Sequence, residues 1–420
     1  MSELNLTLRQ PAQIGDRARE DFVLGTQEYV PGTVVRGAFA GAWLARNGVS
    51  VPGTSGRGEF LRLFEGGVRF GPLLRPGTGF LPLSVVTHKY REQQTCAEVE
   101  YDRALTGEAP LRCPDCGSPL EQDKTLRGTR PPVRRRTSVS IGESGVARRG
   151  VLFTRETLEA GQEFRGTLVA DPALLAVLAG LGPIRIGGRR TTHGLADVSI
   201  RDGAGGAPLP AAQRRDDGKL VIRLRSPGIF TDAQGRPSRD PDPSELTEVL
   251  GTPARVAYRW TRWQQAGGWH VASGLPKPTE VAVVAGSTYV ISAERTVADA
   301  ALDELGRRGL GLRRHEGFGD LAPLPDLKPG LRARQQEARR LRELMDAVAP
   351  LRGVLVRFPA RWPPLLAAMT AHAGGDPAAT SRLRAIAAAP PDPGIGAALR
   401  KFLEFSPRDA AYIAGELARP

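Results

Sequence analysis

Apolar and polar residues alternate in "LNLTLRQ" near the N-terminus, the period of a half-buried strand. Pro31-Gly32 reads as a turn. Beyond it Val34, Val35, Ala38, Phe39, Ala42 and Trp43 recur at helical spacing, with Thr33 as the expected cap and Gly48 as the stop. Short strands are predicted in "GVRFGPLL" and "GFLPLSVV". Two basic strands, "VRRRTSVSIG" and "ARRGVLFTRETL", flank a turn at 143–145, and "QEFRGTLVAD" is a further strand. "DPALLAVLAGLG" is a short helix with Asp171 as cap and Pro172 at its first position. "GPIRIGGRRTTHGLADVSI" is a glycine- and arginine-rich loop running into a last strand. The succession is β-α-β-β-α-β with insertions, the ferredoxin-like pattern.

The pattern then recurs. Residues 206–218 read as a linker by composition. "KLVIRLRSPGIF" and "EVAVVAGSTYVIS" are strands, "TVADAALDELGRRG" is a helix with Thr296 as its expected cap, and "LGLRRHEGFGDLAPL" is again loop into strand. The expected fold class is α+β: two ferredoxin-like (RRM-like) modules with glycine-rich loops, at 1–205 and 219–328. The first carries a cysteine-bearing insertion at 88–130. From 329 to 420 amphipathic helical segments, opening with "LRARQQEARRLRELMDAV", predict a helical C-terminal domain.

Charge changes what this scaffold is expected to meet. The 420 residues hold 58 Lys and Arg against 45 Asp and Glu, a formal charge of +13. Most of the excess is arginine, whose planar fork suits phosphate and stacks on bases. Nucleic acid is therefore the expected partner, ahead of an anionic membrane. There is no apolar run of membrane-spanning length and no leader pattern at the N-terminus, so a cytoplasmic location is expected.

The two loops carry the candidate chemistry. Gly187, Gly188, Arg189, Arg190 and His193 lie in the first; Gly309, Gly311, Arg313, Arg314, Gly317 and Gly319 lie in the second. Glycine lets backbone N–H groups approach a phosphate, and arginine adds charge-assisted bonds. Neither loop opens a helix, so neither is a nucleotide fingerprint. Arg36 at the first helix start, Arg134, Arg135 and Arg136, and Arg148 and Arg149 complete the expected RNA-binding set. Trp260, Trp263 and Trp269, interleaved with arginines, could stack on bases or pack in a core. Cys113 and Cys116 in "CPDC", with Cys96 upstream and His88 the nearest histidine, form a candidate Cys₃His site for one structural zinc. A metal-free ribbon and a redox pair are the alternatives. His193 could act as a general base on RNA or be a plain RNA contact.

Taken together these residues resemble a family. "YVPGTVVRGAFAGAWL", the two glycine loops, the hairpin segment "RRRTSVSIGESGVARRGVLFTRETLEAGQEFRG" and "GGWHVASGLPKPTEVAVVAGSTYV" are similar to motifs of the RAMP proteins of CRISPR–Cas effector complexes. With the "CPDC" insertion the pattern is most similar to the two-module RAMP subunit of type III-D complexes. The resemblance spans about 1–326, and the first loop departs from it in ending "HGLADV". It implies a non-catalytic subunit that grips the 5′ repeat-derived tag of the CRISPR RNA, beside other RAMP subunits and a large polymerase-like subunit. The alternatives are a CRISPR RNA-processing endoribonuclease using His193 and a protein scaffold whose RNA contact is incidental.

Overall fold

The computed structural model describes residues 2–20, 23–48, 53–90, 100–106, 111–113, 116–122, 126–127, 130–202, 212–270, 275–321, 340–341, 343–390 and 392–418. The chain divides into two units, one of Met1–Val85 with Asp123–Asp326, the other of Val86–Gln122 with Leu327–Pro420.

In the first unit the N-terminal strand, Ser2–Leu8, alternates strictly between buried and half-buried positions. It sits inside a sheet ordered Ile184–Arg185, Leu195–Asp202, Ser2–Leu8, Glu163–Val169, Arg69–Phe70. Every neighbouring pair in it is antiparallel. The helices Gly32–Asn47 and Pro172–Ala179 cover this sheet with Val35, Phe39, Trp43, Leu175 and Leu178, which share one core with Leu4, Leu6 and Phe164. Burying such side chains is worth about 1.5–3 kcal/mol each, which fixes the strand register. The first helix begins on Pro31 with no side-chain cap, so Thr33 lies inside it. Proline pre-sets the entry angle without needing an N–H partner.

Between the edge strand and Glu163–Val169 the chain runs out into a long hairpin, Val133–Ile141 and Ala147–Leu158. Its apolar tip side chains Val139, Ile141, Val146 and Leu152 are exposed.

A second sheet is ordered Ala212–Arg214, Leu220–Arg223, Thr288–Ala293, Ala254–Trp260, again antiparallel. Part of the segment expected as linker thus forms an edge strand. The helices Pro243–Leu250 and Asp299–Arg308 pack Leu246, Leu250, Leu302 and Leu305 with Ile222, Tyr289 and Ile291. The apolar run 280–292 is two strands rather than one, because Gly286 turns the chain at φ +85°. The second helix starts on Ala298, not Thr296. The strand expected after the second loop is reduced to one bridge, Leu224 to Leu321.

In the second unit, Val86, Tyr101 and Cys113 form a small core against Cys116 and Leu120. Helices Trp362–Ala373, Pro377–Ala388, Pro393–Phe402 and Pro407–Leu417 bury Leu365, Met369, Leu383, Leu399, Phe402 and Ile413. Three of them open on Asp376, Asp392 and Ser406, whose side chains accept from the first-turn N–H groups. The "HAGGDP" turn is the first of those caps. Most of the amphipathic segment from 331 lies outside the described residues; 340–341 and 343–347 are helical.

Candidate nucleic-acid interface

The two glycine loops are one piece of backbone built twice. Ile186 N–H donates to Gly194 O and Leu310 N–H to Gly319 O, both at 2.9 Å. Gly188 N–H donates to Gln13 O, and Leu312 N–H to Ile229 O, again at 2.9 Å. Gly194 N–H reaches Pro11 O at 2.9 Å, and Gly319 N–H reaches Pro227 O at 2.8 Å. Arg189 and Arg313 are the non-glycine residues with positive φ among those described, at 53° and 54°. The glycines are needed for this closure. A Cβ on Gly194 would lie 2.0 Å from Ile186 O, and one on Gly319 would lie 1.7 Å from Leu310 O. The cradle therefore closes on protein backbone before any ligand is considered.

What surrounds each loop differs. In the second loop Glu245 accepts from Gly311 N–H at 2.9 Å and from Arg314 Nη1 at 3.1 Å. Arg313 binds Glu316 at 2.8 Å and also pairs with Glu280, while Lys277 reaches Glu316 at 2.7 Å. Burial alone would raise the Glu316 carboxyl. The hydrogen bonds from Arg313 and Lys277, with their charges, override it and hold the group at about 2. Burial likewise opposes the charge on Arg313, and its two carboxylate partners win, raising its pKa. His315 is pushed down, first by burial and then by Arg36. This loop is also wedged against the first module. A Cβ on Gly317 would come within 2.2 Å of Phe70 O and 2.8 Å of Gly32 Cα. Asp320 takes Arg225 Nε at 2.7 Å and lies 2.9 Å from Arg69 Nη1, whose N–H points off that line.

In the first loop no carboxylate pairs with Arg189 or Arg190 among the described residues. Arg190 lies along the first helix, where Gly41 leaves room: a Cβ there would stand 3.0 Å from its guanidinium. Gly188, Arg189, Thr191 and Thr192 are exposed. His193 Nδ1 is 2.8 Å from Thr192 Oγ1. The hairpin continues this charge. Register pairs Arg136 with Arg155 and Arg134 with Thr157, so the three arginines share one face. Arg155 lies over the Phe153 ring at 4.7 Å, and its Nε has no hydrogen-bond partner among the described residues. Burial and the nearby positive charge of Arg189 depress its pKa. Arg135 is on the other face, 2.9 Å from Glu156. Arg148 and Arg149 are on the returning strand, their side chains outside the described set.

Arg36 is engaged elsewhere. Its guanidinium donates to Phe64 O at 2.6 Å and Glu65 Oε1 at 2.5 Å, tying the first helix to the helix Arg57–Phe64. The expected set thus divides: Arg134, Arg136, Arg189 and Arg190, with Arg155 added by the structure, form an uncompensated basic face. Arg36, Arg313 and Arg314 are neutralised inside the protein. Trp263 is covered on one face by Arg239 at 5.2 Å, and the Trp269 side chain lies outside the described residues.

With both loops in place the comparisons can be set beside them. Residues 169–324 match the model of the family described as CRISPR-associated protein (Cas_Cmr3). That stretch holds both glycine loops. No curated protein matches the chain. Among solved structures, the chain is similar to one in "Cryo-EM structure of the Type III-B Cmr-beta bound to cognate target RNA", at 11% identity, covering 69% of this chain and 86% of that one with a TM-score of 0.39. It is similar to one in "Crystal structure of Csm3-Csm4 subcomplex in the type III-A CRISPR-Cas interference complex", at 10% identity, 77% and 100% coverage and a TM-score of 0.36. It is also similar to "CRISPR associated protein Cas6", at 8% identity, 77% and 98% coverage and a TM-score of 0.32.

Among the described residues no helix is long and apolar enough to cross a membrane. The cysteine insertion is a separate cluster. The ligand atoms of His88, Cys113 and Cys116 lie within 4.8 Å of one another. Cys96 lies outside the described residues.

Proposed function

We propose that this chain is a non-catalytic, RNA-binding subunit of a type III CRISPR effector complex, built on two ferredoxin-like modules. In this reading it holds the repeat-derived 5′ tag of the CRISPR RNA and contacts other RAMP subunits and the large subunit. The family match over 169–324 and the motif resemblance agree at the level of a type III subunit; the III-D subtype rests on the motifs alone. The observation that carries the RNA reading is the contrast between the two loops. In the second, a glycine N–H and an arginine hold the Glu245 carboxylate, a protein stand-in for a phosphate. In the first, the same backbone presents Arg189 and Arg190 with no carboxylate, beside Arg134, Arg136 and Arg155. Single-stranded RNA supplies the phosphates for these cations and a base for the Arg155–Phe153 platform.

The test is the salt dependence of binding to a repeat-tag oligonucleotide. Each phosphate contact removed lowers the slope of log K against log salt by about 0.7 for a single strand. Arg134→Ala, Arg136→Ala and Arg189→Ala together are expected to lower it by about 2, whereas Arg236→Ala, on an exposed ion pair with Asp232, leaves it unchanged. Equal slopes for the triple variant and the wild type would overturn the assignment. Cleavage of the oligonucleotide that disappears in His193→Ala would replace it with the ribonuclease reading.

A further inference from the structure

We propose that His88, Cys113 and Cys116 hold one zinc ion that fastens the Val86–Gln122 insertion. The three residues come from two separate places in the chain. His88 ends the strand Val85–His88, which pairs with Leu120–Gln122. The two cysteines sit in the turn just before that partner strand. The turn is closed by Cys113 N–H to Ser118 O and Gly117 N–H to Cys113 O, both 2.8 Å, with Gly117 at φ +69°. Only glycine adopts that φ without cost, and the result is a tight knuckle that turns both sulfurs to one side. Cys116 Sγ is 3.3 Å from His88 Nε2. Tetrahedral zinc with its usual bond lengths sets that separation at about 3.6 Å and the sulfur–sulfur separation at about 3.8 Å. A cluster whose atoms lie within 4.8 Å of one another reaches this by small rotamer adjustments.

Chemistry and folding both favour zinc. Two thiols and an imidazole select a borderline-soft metal over magnesium or calcium, which take oxygen ligands. His88 and Cys113 are nearly inaccessible, at 3% and 2%. Two buried thiolates would be costly unpaired, and a divalent cation cancels them. The insertion also has little else to hold it: its core is Val86, Tyr101 and Cys113 with Cys116 and Leu120 at the margin. Segments of that size fold when a metal or disulfide supplies the missing free energy.

The full-length protein, dialysed against buffered zinc and then freed of unbound metal, is expected to retain one zinc per chain by elemental analysis. Cys113→Ser, Cys116→Ser and His88→Ala each reduce this at least tenfold. His88→Cys restores a thiolate ligand and keeps the metal, so loss in the other variants cannot be put down to misfolding alone. A strong chelator is expected to speed proteolysis within 86–122 at least tenfold, reversed by adding zinc back. Zinc below a tenth of stoichiometry in the wild type overturns the proposal. So does full zinc in Cys113→Ser, or a disulfide between Cys113 and Cys116 found by thiol counting in place of the metal.

Discussion

Asp320→Asn tests whether the second loop is an internal joint. Asp320 is 1% exposed and neutralises two cations, Arg69 from the first module and Arg225 from the second. Arg69 is itself buried, and burial depresses its pKa against the opposing pull of Asp320. At an effective dielectric near 20, one pair at about 4 Å is worth about 4 kcal/mol, so the two contacts amount to about 8 kcal/mol gross. The variant recovers the cost of burying the carboxylate, and the net loss on breaking a buried pair falls to about 3–5 kcal/mol. In a domain of this size that lowers the melting midpoint by about 6 °C or more. Tryptophan fluorescence in guanidinium reads the unit directly, because Trp43, Trp260, Trp263 and Trp269 all lie in it. Adding Arg69→Met to Asp320→Asn should cost less than Arg69→Met alone, since it removes a cation already left without its partner. A midpoint shift under about 2 °C, or additive costs, would refute the idea that this pair holds the loop in place.

Other consequences follow from the same geometry. Gly319→Ala, at φ +64° and with a Cβ driven onto Leu310 O, should destabilise by more than about 2 kcal/mol, whereas Gly188→Ala, whose nearest neighbour is Gln13 O at 4.0 Å, should stay within about 0.5 kcal/mol in chemical melts. Glu316 binds a proton less readily folded than unfolded, so its contribution is complete above about pH 4.5 and lost as pH falls toward 2. That contribution is of order 3 kcal/mol, and stability measured against pH should lose this increment in Glu316→Gln. His315, also lowered, acts in the same direction, losing stability as pH falls below its ordinary value near 6.5. Glu245→Gln should weaken the second loop while leaving the RNA salt slope unchanged, which a binding series at three salt concentrations checks.

Much of this was legible along the chain, and the misses have physical causes. The alternation of Leu4, Leu6 and Leu8 and the helical spacing of Val35, Phe39 and Trp43 report burial directly, because core side chains repeat with the backbone period. Caps are less secure. Thr33 and Thr296 have the right chemistry, yet the helices start at Gly32 and Asp299, where Pro31 and Ala298 already hold the entry dihedrals. The repeat was visible in the loops but is sharper elsewhere. "LRQPAQI" at 8–14 and "LRSPGIF" at 224–230 carry the carbonyls that both loops bond, and "AGQEF" at 160–164 matches "AGSTY" at 285–289. Short matches of this kind, with one set separated by 216 residues and the other by 125, escape a search for a fixed period. The neutralising carboxylates could not be seen at all. Glu245 and Glu280 are brought to the second loop only by the fold, from 69 and 33 residues away.

Glycine and arginine therefore carry separate information in these loops. The glycines are demanded by close approach of one backbone to another, and the demand is the same in both copies: 2.0 Å at Gly194 and 1.7 Å at Gly319 for a hypothetical Cβ. Their number says nothing about a ligand. The better-preserved glycines of the second loop go with its tighter packing, against Phe70 and Gly32, and with its own acids. Arginines are informative only once their partners are known. Four carboxylates, Glu245, Glu280, Glu316 and Asp320, absorb the charge around the second loop. At the first loop Arg189 and Arg190 meet none among the described residues, and Arg155 is repelled by Arg189 across the gap to the hairpin. Like charges held this close, at a cost to the fold, are relieved by an anion, and a polyanion that follows the loop onto the hairpin relieves several at once.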